Sequence, residues 1–477
     1  MGYTEKIVVI GAGISGLACA YRLKLLGARA LVLEASDRPG GLISTIRKNG
    51  CLFETGPQFP RFPASLWRLV RELNLEGEFV AGNPKAKRYI LRHGHLQPAP
   101  FSPASLISSR LLGLPSKFRI LTEALRSSHA PAHEESLAQF VERKFGSEVL
   151  DNLVDPIVST IFFGDSKNMG MESAFPDLVE WERTHGSLVR GALRARKSTR
   201  AFRDSSKAAP SRNVSGQALR VTDELPSLGS FTRGMGALIE TLAENLRDRI
   251  RYDTVATSLS RTGATDQQNK SWQIGLSSGE HMQAENVVFA APAYVTAKLL
   301  QEISPRSALD LSQIAYAPAC VVSFVYDRSQ VVNSLDGFGF MVPRQEGLHT
   351  ICTFWNSSLF ADRAPAGEVL ITSFAASRDK RDMLPMPEEE CAQIVHNENA
   401  AILGIRGKPG DHVVWRDAHA LPQYNIGHKQ RIARIRGSLS VTPQLYLVGN
   451  FVKGRSLGDC VDLAFDCADE LYSRLQN

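Results

Sequence analysis

An α/β chain, α+β overall, is predicted: a parallel-sheet domain assembled from both chain ends, a mixed-sheet domain and a helical domain. Three observations carry this reading. A strand, a glycine turn, a helix and a second strand follow one another over 6–36. A strand, a glycine-bearing loop and a helix recur at the far end, from LYLVGN at 445–450. Between them lie a mainly helical stretch over 100–190 and short apolar strands at 320–326, 338–342, 350–355 and 369–375.

The first element is KIVVIGAGISGLACAYRLKLLGARALVLEAS, 6–36. A β-branched strand runs into Gly11-Ala12-Gly13-Ile14-Ser15-Gly16, and a helix with apolar residues at helical spacing follows. Gly11 allows the tight turn, Gly13 lets the backbone approach a pyrophosphate, and Gly16 lets the helix lie close to the strand. Free amides at the helix N-terminus then face the phosphates. Glu34 stands 18 residues after Gly16 and can accept a ribose 2′-hydroxyl. Strand, turn, helix, second strand and acid in register predict a Rossmann-like nucleotide-binding unit.

In the middle, SFTRGMGALIETLAENL (230–246) reads as a loop and an amphipathic helix. Strands are expected around 251–260 and 272–276, and at ENVVFAAPA, 285–293. A final helix is expected from about Val461 to Leu475. The stretch KAKRYILRHGHLQP, 85–98, reads as a β-hairpin turning through Arg92-His93-Gly94-His95, which leaves the charge of Arg88 at an apolar root unexplained.

With 477 residues, 43% apolar and 22% charged, the chain is globular and long enough for two or three domains. Its seven cysteines include no C-x-x-C pair, which argues against a disulfide framework or structural zinc and for a reducing compartment. Cys460 and Cys467 read as small buried thiols. No apolar run approaches the ~20 residues a membrane span needs. A strand starts almost at the N-terminus, so neither a signal nor a transit peptide is expected, and a cytoplasmic location follows. Of the net charge of +6, residues 190–212 hold eight Lys/Arg against the single acid Asp204. That segment is either a solvated loop or a patch for anionic lipid headgroups. Nucleic acid is argued against by its lone aromatic, Phe202, and the absence of a recognisable module. Metal and covalent nucleophile chemistry are not expected: there is no H-E-x-x-H, no metal-spaced His/Cys cluster and no nucleophile elbow.

Past Glu34 come Ala35-Ser36-Asp37-Arg38-Pro39-Gly40-Gly41-Leu42 and then Phe53-Glu54-Thr55-Gly56-Pro57-Gln58-Phe59. The Glu-x3-Arg-x-Gly-Gly stretch resembles the FAD-binding amine oxidase and phytoene desaturase superfamily. Narrower blocks are similar to the protoporphyrinogen oxidase family: FETGPQ (53–58), STIFFGDSKNMGM (159–171), SAFPDLVEWERTHGSLVRG (173–191), SFTRGMGAL (230–238), LPQYNIGH (421–428) and GNFVKGRSLGDC (449–460). Gln58-Phe59-Pro60, Phe451 and Arg455 depart from the usual pattern.

The resemblance implies a discontinuous FAD domain of the two-dinucleotide-binding type (1–84, 225–300 and 412–477). It adds a substrate-binding sheet domain (301–411 with the 85–98 hairpin) and a helical, membrane-facing domain that admits the substrate (99–224). It implies one non-covalent FAD per chain, held by Gly11, Ala12, Gly13, Ile14, Ser15, Gly16, Glu34, Ala35, Arg38, Gly40, Gly41, Leu42, Gly56, Pro57, Gln58, Phe59, Trp415, Gly449, Asn450, Arg455, Ser456 and Leu457. The backbone of Val255 would lie against adenine. The flavin N5 would carry the chemistry, taking hydride equivalents from a porphyrinogen in three two-electron steps, with O2 as acceptor and hydrogen peroxide released.

The substrate site so implied comprises Arg88 for a carboxylate and Phe163, Gly164, Phe340, Met341 and Phe374 as apolar walls. Protoporphyrinogen IX is expected over coproporphyrinogen III because no second arginine near Arg88 is clearly pocket-facing. Another flavin amine oxidase, a carotenoid desaturase or a flavin-binding scaffold are the other readings. A homodimer, a peripheral position on an anionic membrane surface and handover to a ferrochelatase-type enzyme are further implications of the resemblance. His185 and His428 are expected to make structural hydrogen bonds.

Overall fold

A computed structural model of the chain describes residues 4–83, 86–100, 102–126, 131, 133–194, 228–262, 271–376, 383–442, 444–453 and 456–476. Arg455 and residues 195–212 of the basic segment lie outside the described residues.

The first sheet forms because its central strands are apolar on both faces, which suits parallel strands covered by helices. In strand Thr4–Ile10 the run Ile7, Val8, Val9, Ile10 is wholly buried. It pairs in parallel with Leu31–Leu33 on one side and His281–Phe289 on the other. Ile250–Arg251 and Leu445–Leu447 extend the parallel part, and Ala256–Arg261 and Trp272–Leu276 add an antiparallel flank. The registers bring Leu447, Phe289, Ile10, Leu33 and Arg251 to one common edge. One face is covered by helices Ile14–Leu25, Ala64–Glu72, Gly236–Asn245 and Leu457–Gln476, through Leu17, Leu69, Leu242 and Phe465. Helices Ala293–Leu299, Pro305–Ser312 and His428–Leu439 cover the other, through Ala297, Leu311 and Ile435. Ligands of such sheets bind at the carboxyl edge of the strands.

The second sheet has seven strands in the spatial order Asp411–Pro422, Tyr316–Asp327, Glu368–Ala375, Thr350–Phe354, Gly339–Met341, Arg88–Arg92, His95–Pro98. The last two are the expected hairpin. His93 (φ 51°) and Gly94 (φ 75°) both take left-handed backbone at its tip, as a two-residue turn matched to strand twist requires. The hairpin adds in parallel to Gly339–Met341, with Gly339 opposite Arg88 and Met341 opposite Ile90.

Two expected boundaries move. Position 412 falls inside strand Asp411–Pro422, which pairs along Tyr316–Asp327. Helix Pro305–Ser312 packs on the first sheet through Ala308 and Leu311. Hydrogen bonding in the one case and apolar packing in the other place 316–422 with the second sheet. The final helix starts at Leu457, four residues earlier than expected.

The helical part comprises Pro103–Ser108, Leu114–Leu121, Leu137–Phe145, Asp155–Phe162 and Pro176–His185, closed around Leu137, Phe140, Val158, Phe162 and Val179. Capping boxes start two of these helices, Ser102 with Ser105 and Ser136 with Gln139. Under them runs a buried charge network. Lys144 lies between Glu182 (2.8 Å) and Glu123 (3.5 Å), and Arg143 forks onto Glu182 and Glu135. All seven cysteines are buried thiols. Among the described residues no helix is long and apolar enough to cross a membrane.

Candidate active site

The glycine turn sits at the carboxyl edge of the first sheet. Gly11 has φ +108°, and a Cβ there would press on the Ala290–Ala291 peptide at 3.0 Å. A Cβ on Gly16 would overlap the Gly11 carbonyl oxygen, so glycine is needed for the helix to approach the strand. Beyond Gly13 there is open space, with nothing within 4 Å of a Cβ built there, and no side chain caps the helix it begins. Ala12, Ile14 and Ser15 are buried beneath this opening.

The second glycine pair closes the cradle. Gly40 and Gly13 form a parallel bridge, the Gly40 amide donates to the Ala12 carbonyl (2.8 Å), and Gly41 (φ +57°) lies over Gly13. Arg38 ties the loop by donating to the carbonyls of Pro39 and Gly41. Glu34 accepts from the Ala12 amide (2.7 Å) and from the amide and hydroxyl of Ser36. Ala35 and the ends of the 253–255 turn are drawn in beside it: Thr254 donates to the Glu34 carbonyl and Asp253 to that of Ser36. Val255 itself precedes its strand, which starts at Ala256, and is half-exposed next to this anchor. An open, glycine-floored cradle with an acid at the following strand end fits a dinucleotide's pyrophosphate and ribose.

The FETGPQF segment crosses the same edge. Gly56 packs against the Leu42 carbonyl, where a Cβ would not fit. Gln58 is buried and turned inward: its amide nitrogen donates to the carbonyls of Glu54 and Gly56, and its oxygen accepts from Asn356 (2.7 Å). Its side chain therefore holds the turn around Pro57, so a cofactor contact at Gln58 would come from its backbone. Glu54 is fixed by Thr45 (2.7 Å), the Met235 amide (2.8 Å) and buried Arg363 (3.5 Å). Burial raises the Glu54 carboxyl above its usual range.

The C-terminal loop completes the edge. Gly449 has φ +132°. Tyr424 donates its hydroxyl to the Asn450 carbonyl, and His428 Nε2 bonds the Phe451 carbonyl (2.9 Å). The two rings stack at 4.6 Å. Burial pushes the His428 pKa down to about 4, so the imidazole is neutral. Ser456 caps the last helix, its hydroxyl accepting from the Asp459 amide and donating to the Asp459 carboxylate. Leu457 begins that helix.

An apolar cluster is packed between the second sheet and the helical part. Met341, Phe374, Val321 and Cys352 form its sheet wall, with Phe163, Phe354 and Trp415 packed against them. Phe163 caps its helix in left-handed backbone (φ 51°) and meets Phe374 at 5.3 Å. The turn is pinned from three sides. Arg344 donates to the Gly164 carbonyl (2.8 Å) and pairs with Asp155 (3.0 Å), and Gln423 donates to the Phe162 carbonyl. Phe340 is not in this wall. Neighbouring strand residues point to opposite faces, so Phe340 packs with Phe324, Trp355 and Val395 behind the sheet, which corrects its expected role.

Arg88 marks the far end of a file of rings. Its guanidinium lies 4.1 Å over Phe338, and Phe338, Phe59, Phe354 and Phe374 follow in T-shaped pairs at 4.8–5.6 Å between centroids. Burial first, and then the like charge of Arg61, lower the Arg88 pKa. Arg61 is thus within electrostatic range of Arg88, and its side chain is exposed. Lys87 points away and pairs with exposed Asp336 (2.7 Å). Sequence reasoning missed Phe338, Phe354, Arg344 and Arg61. Period-two alternation from Cys352 would have found Phe354; the other three depend on long-range packing. The blocks around Glu182, Ser187, Gln423 and Tyr424 are framework: Ser187 bonds Glu123 (2.6 Å), and the others lock loops named above.

Comparison with known proteins agrees with this architecture. The model of the family described as flavin containing amine oxidoreductase matches residues 14–471. The chloroplast protoporphyrinogen oxidase of Nicotiana tabacum is 30% identical over 97% of this chain and 85% of its own length. The coproporphyrinogen III oxidase of Bacillus subtilis is 27% identical over 96% of both chains. A crystal structure from Exiguobacterium sp. 255-15, provisionally named as a protoporphyrinogen oxidase, superposes with a TM-score of 0.79 at 24% identity, covering 99% of this chain and 100% of that one. With a mixed α/β fold of the flavin amine oxidase type and a family match over nearly its whole length, the chain belongs to the flavin containing amine oxidoreductase family and is an oxidoreductase.

Proposed function

We propose that the chain is an FAD-dependent porphyrinogen oxidase of heme biosynthesis, converting protoporphyrinogen IX to protoporphyrin IX. The observation that carries this reading is the file of rings from Arg88 through Phe338, Phe59 and Phe354 to Phe374, with Phe59 three residues beyond Gly56. A flat apolar macrocycle with carboxylate arms suits such a surface. Rings and Met341 would hold the tetrapyrrole face, and a fixed guanidinium would hold a propionate. Bound FAD supplies a two-electron acceptor whose electrons pass to O2. The relatives named for porphyrinogen oxidation support this choice over an amine oxidase. So does Phe451, which is buried and packed under the loop rather than presented as part of an aromatic cage.

FAD would lie with its pyrophosphate over Gly13 and Gly41, its ribose at Glu34 and its ring system toward Gly56, Trp415 and Gly449. Every such contact comes from backbone or from side chains already fixed. Cys460 is buried inside its helix, which favours a non-covalent cofactor. Coproporphyrinogen III is the second reading, favoured by the second cation, Arg61, because that substrate carries more propionates.

The helical part would face a membrane surface. Leu114, Phe118, Leu121 and Leu125 are all exposed at spacings that bring them to one side of the Leu114–Leu125 stretch. Arg190 and Arg194 begin the basic segment nearby in sequence to exposed Val189 and Leu193. An apolar product would then leave toward a lipid surface and a ferrochelatase-type acceptor.

Acid precipitation of the purified chain tests the cofactor, with release of intact FAD expected. Incubation with protoporphyrinogen IX in air tests the reaction through porphyrin fluorescence and peroxide. Flavin binding without turnover of either porphyrinogen would leave only a flavin-binding scaffold.

A further inference from the structure

Arg61 has entered so far only as a second cation that bears on the choice of porphyrinogen. It is exposed, it has no acidic partner among the described residues, and it lies within electrostatic range of a second arginine, Arg88. The fold holds the two together through one pair of rings. Arg88 lies 4.1 Å over Phe338, whose ring meets that of Phe59 at 5.1 Å, and Arg61 is two residues beyond Phe59. Its backbone is fixed as well: Arg61 bridges Leu228, and the Pro60 carbonyl accepts from Gly229. Leu228 in turn packs with Phe338 and Phe59. Two like charges within electrostatic range repel one another, and an anion with two carboxylates reverses the sign of that interaction.

We propose that Arg61 is a second substrate-binding cation, which takes one propionate of the tetrapyrrole while Arg88 takes another. This rests on the porphyrinogen reading and adds to it a residue and a stoichiometry of charge: two guanidinium groups for two carboxylate arms. Lys87, paired with Asp336 and directed away, has no part in it.

The test uses the flavin-loaded full chain and two probes, protoporphyrinogen IX and its dimethyl ester, which lacks both carboxylates. For Arg61→Gln, KM for the free acid should rise about tenfold, the loss falling on KM rather than kcat, while KM for the ester stays within about twofold. Arg61→Lys keeps a point charge and should recover most of the loss. An unchanged KM for the free acid, or an equal rise for acid and ester, would overturn the inference and leave the functional reading standing. No turnover of either porphyrinogen by the unmodified chain would overturn both.

Discussion

Replacing Arg88 by alanine removes a half-buried guanidinium from the end of the ring file without touching any glycine loop. The main term is one charged hydrogen bond to substrate, worth about 1.5–3 kcal/mol, or roughly 12- to 160-fold in kcat/KM. Two features of the structure push the result toward the lower half of that range. Arg61 remains nearby to attract the freed carboxylate, and loss of Arg88 relieves the repulsion between the two cations. A fall of roughly 10- to 40-fold, carried by KM, is therefore expected. Steady-state porphyrin fluorescence would measure it, with flavin absorbance confirming a full cofactor load. Lys87→Ala is the control. Its exposed pair with Asp336 is screened by solvent and stands apart from the ring file. Equal effects of the two substitutions, or flavin loss in Arg88→Ala, would refute the placement of Arg88 on the substrate.

Phe340→Ala and Met341→Ala should separate the two faces of one strand. The first empties a core site and should cost about 3–5 kcal/mol in denaturant unfolding, while the second should show mainly as raised KM. His428 is neutral in the folded chain with its pKa pushed down to about 4, whereas unfolded histidine titrates near 6.5. The unfolded state then binds the extra proton first. Stability is whole above about pH 6.5 and falls as pH drops toward 4, by up to about 3 kcal/mol. In His428→Gln that part of the pH dependence should vanish from denaturation midpoints. Gly16→Ala forces a Cβ into the Gly11 carbonyl and should abolish flavin retention on gel filtration, or folding itself. Phe118→Asp with Leu125→Asp should lower co-sedimentation with anionic liposomes about tenfold or more; unchanged binding would place the membrane contact elsewhere.

The nucleotide half of the site was legible because its signals are local. The glycines of 11–16, the acid at 34 and the flanking strands lie within one βαβ unit, and each is dictated by backbone geometry. The hairpin at 88–98 was legible for the same reason, since His93-Gly94 between apolar strands suits only a tight left-handed turn. The substrate half depends on which face of the second sheet each side chain takes and on what approaches it. Phe340 and Met341 were both assigned to the substrate face, and as strand neighbours only one of them, Met341, takes it. Arg61 lies 27 residues before Arg88, and long-range packing, of Phe59 and of Leu228 around Phe338, brings them together. Gln58 and His428 lie in segments that border the flavin loops, yet both are occupied in holding turns.

Peroxide stoichiometry tests the central claim most directly. The purified, flavin-loaded chain is supplied with protoporphyrinogen IX, and in parallel with coproporphyrinogen III, in air-saturated buffer, and porphyrin and peroxide are followed together. Three peroxides for each porphyrin formed, at a rate well above spontaneous air oxidation and abolished by removal of the flavin, is the expected result. A strong preference for coproporphyrinogen III would reassign the substrate within the same chemistry. Porphyrin formation no faster than the flavin-free control with either substrate would contradict the assignment of this chain as a porphyrinogen oxidase.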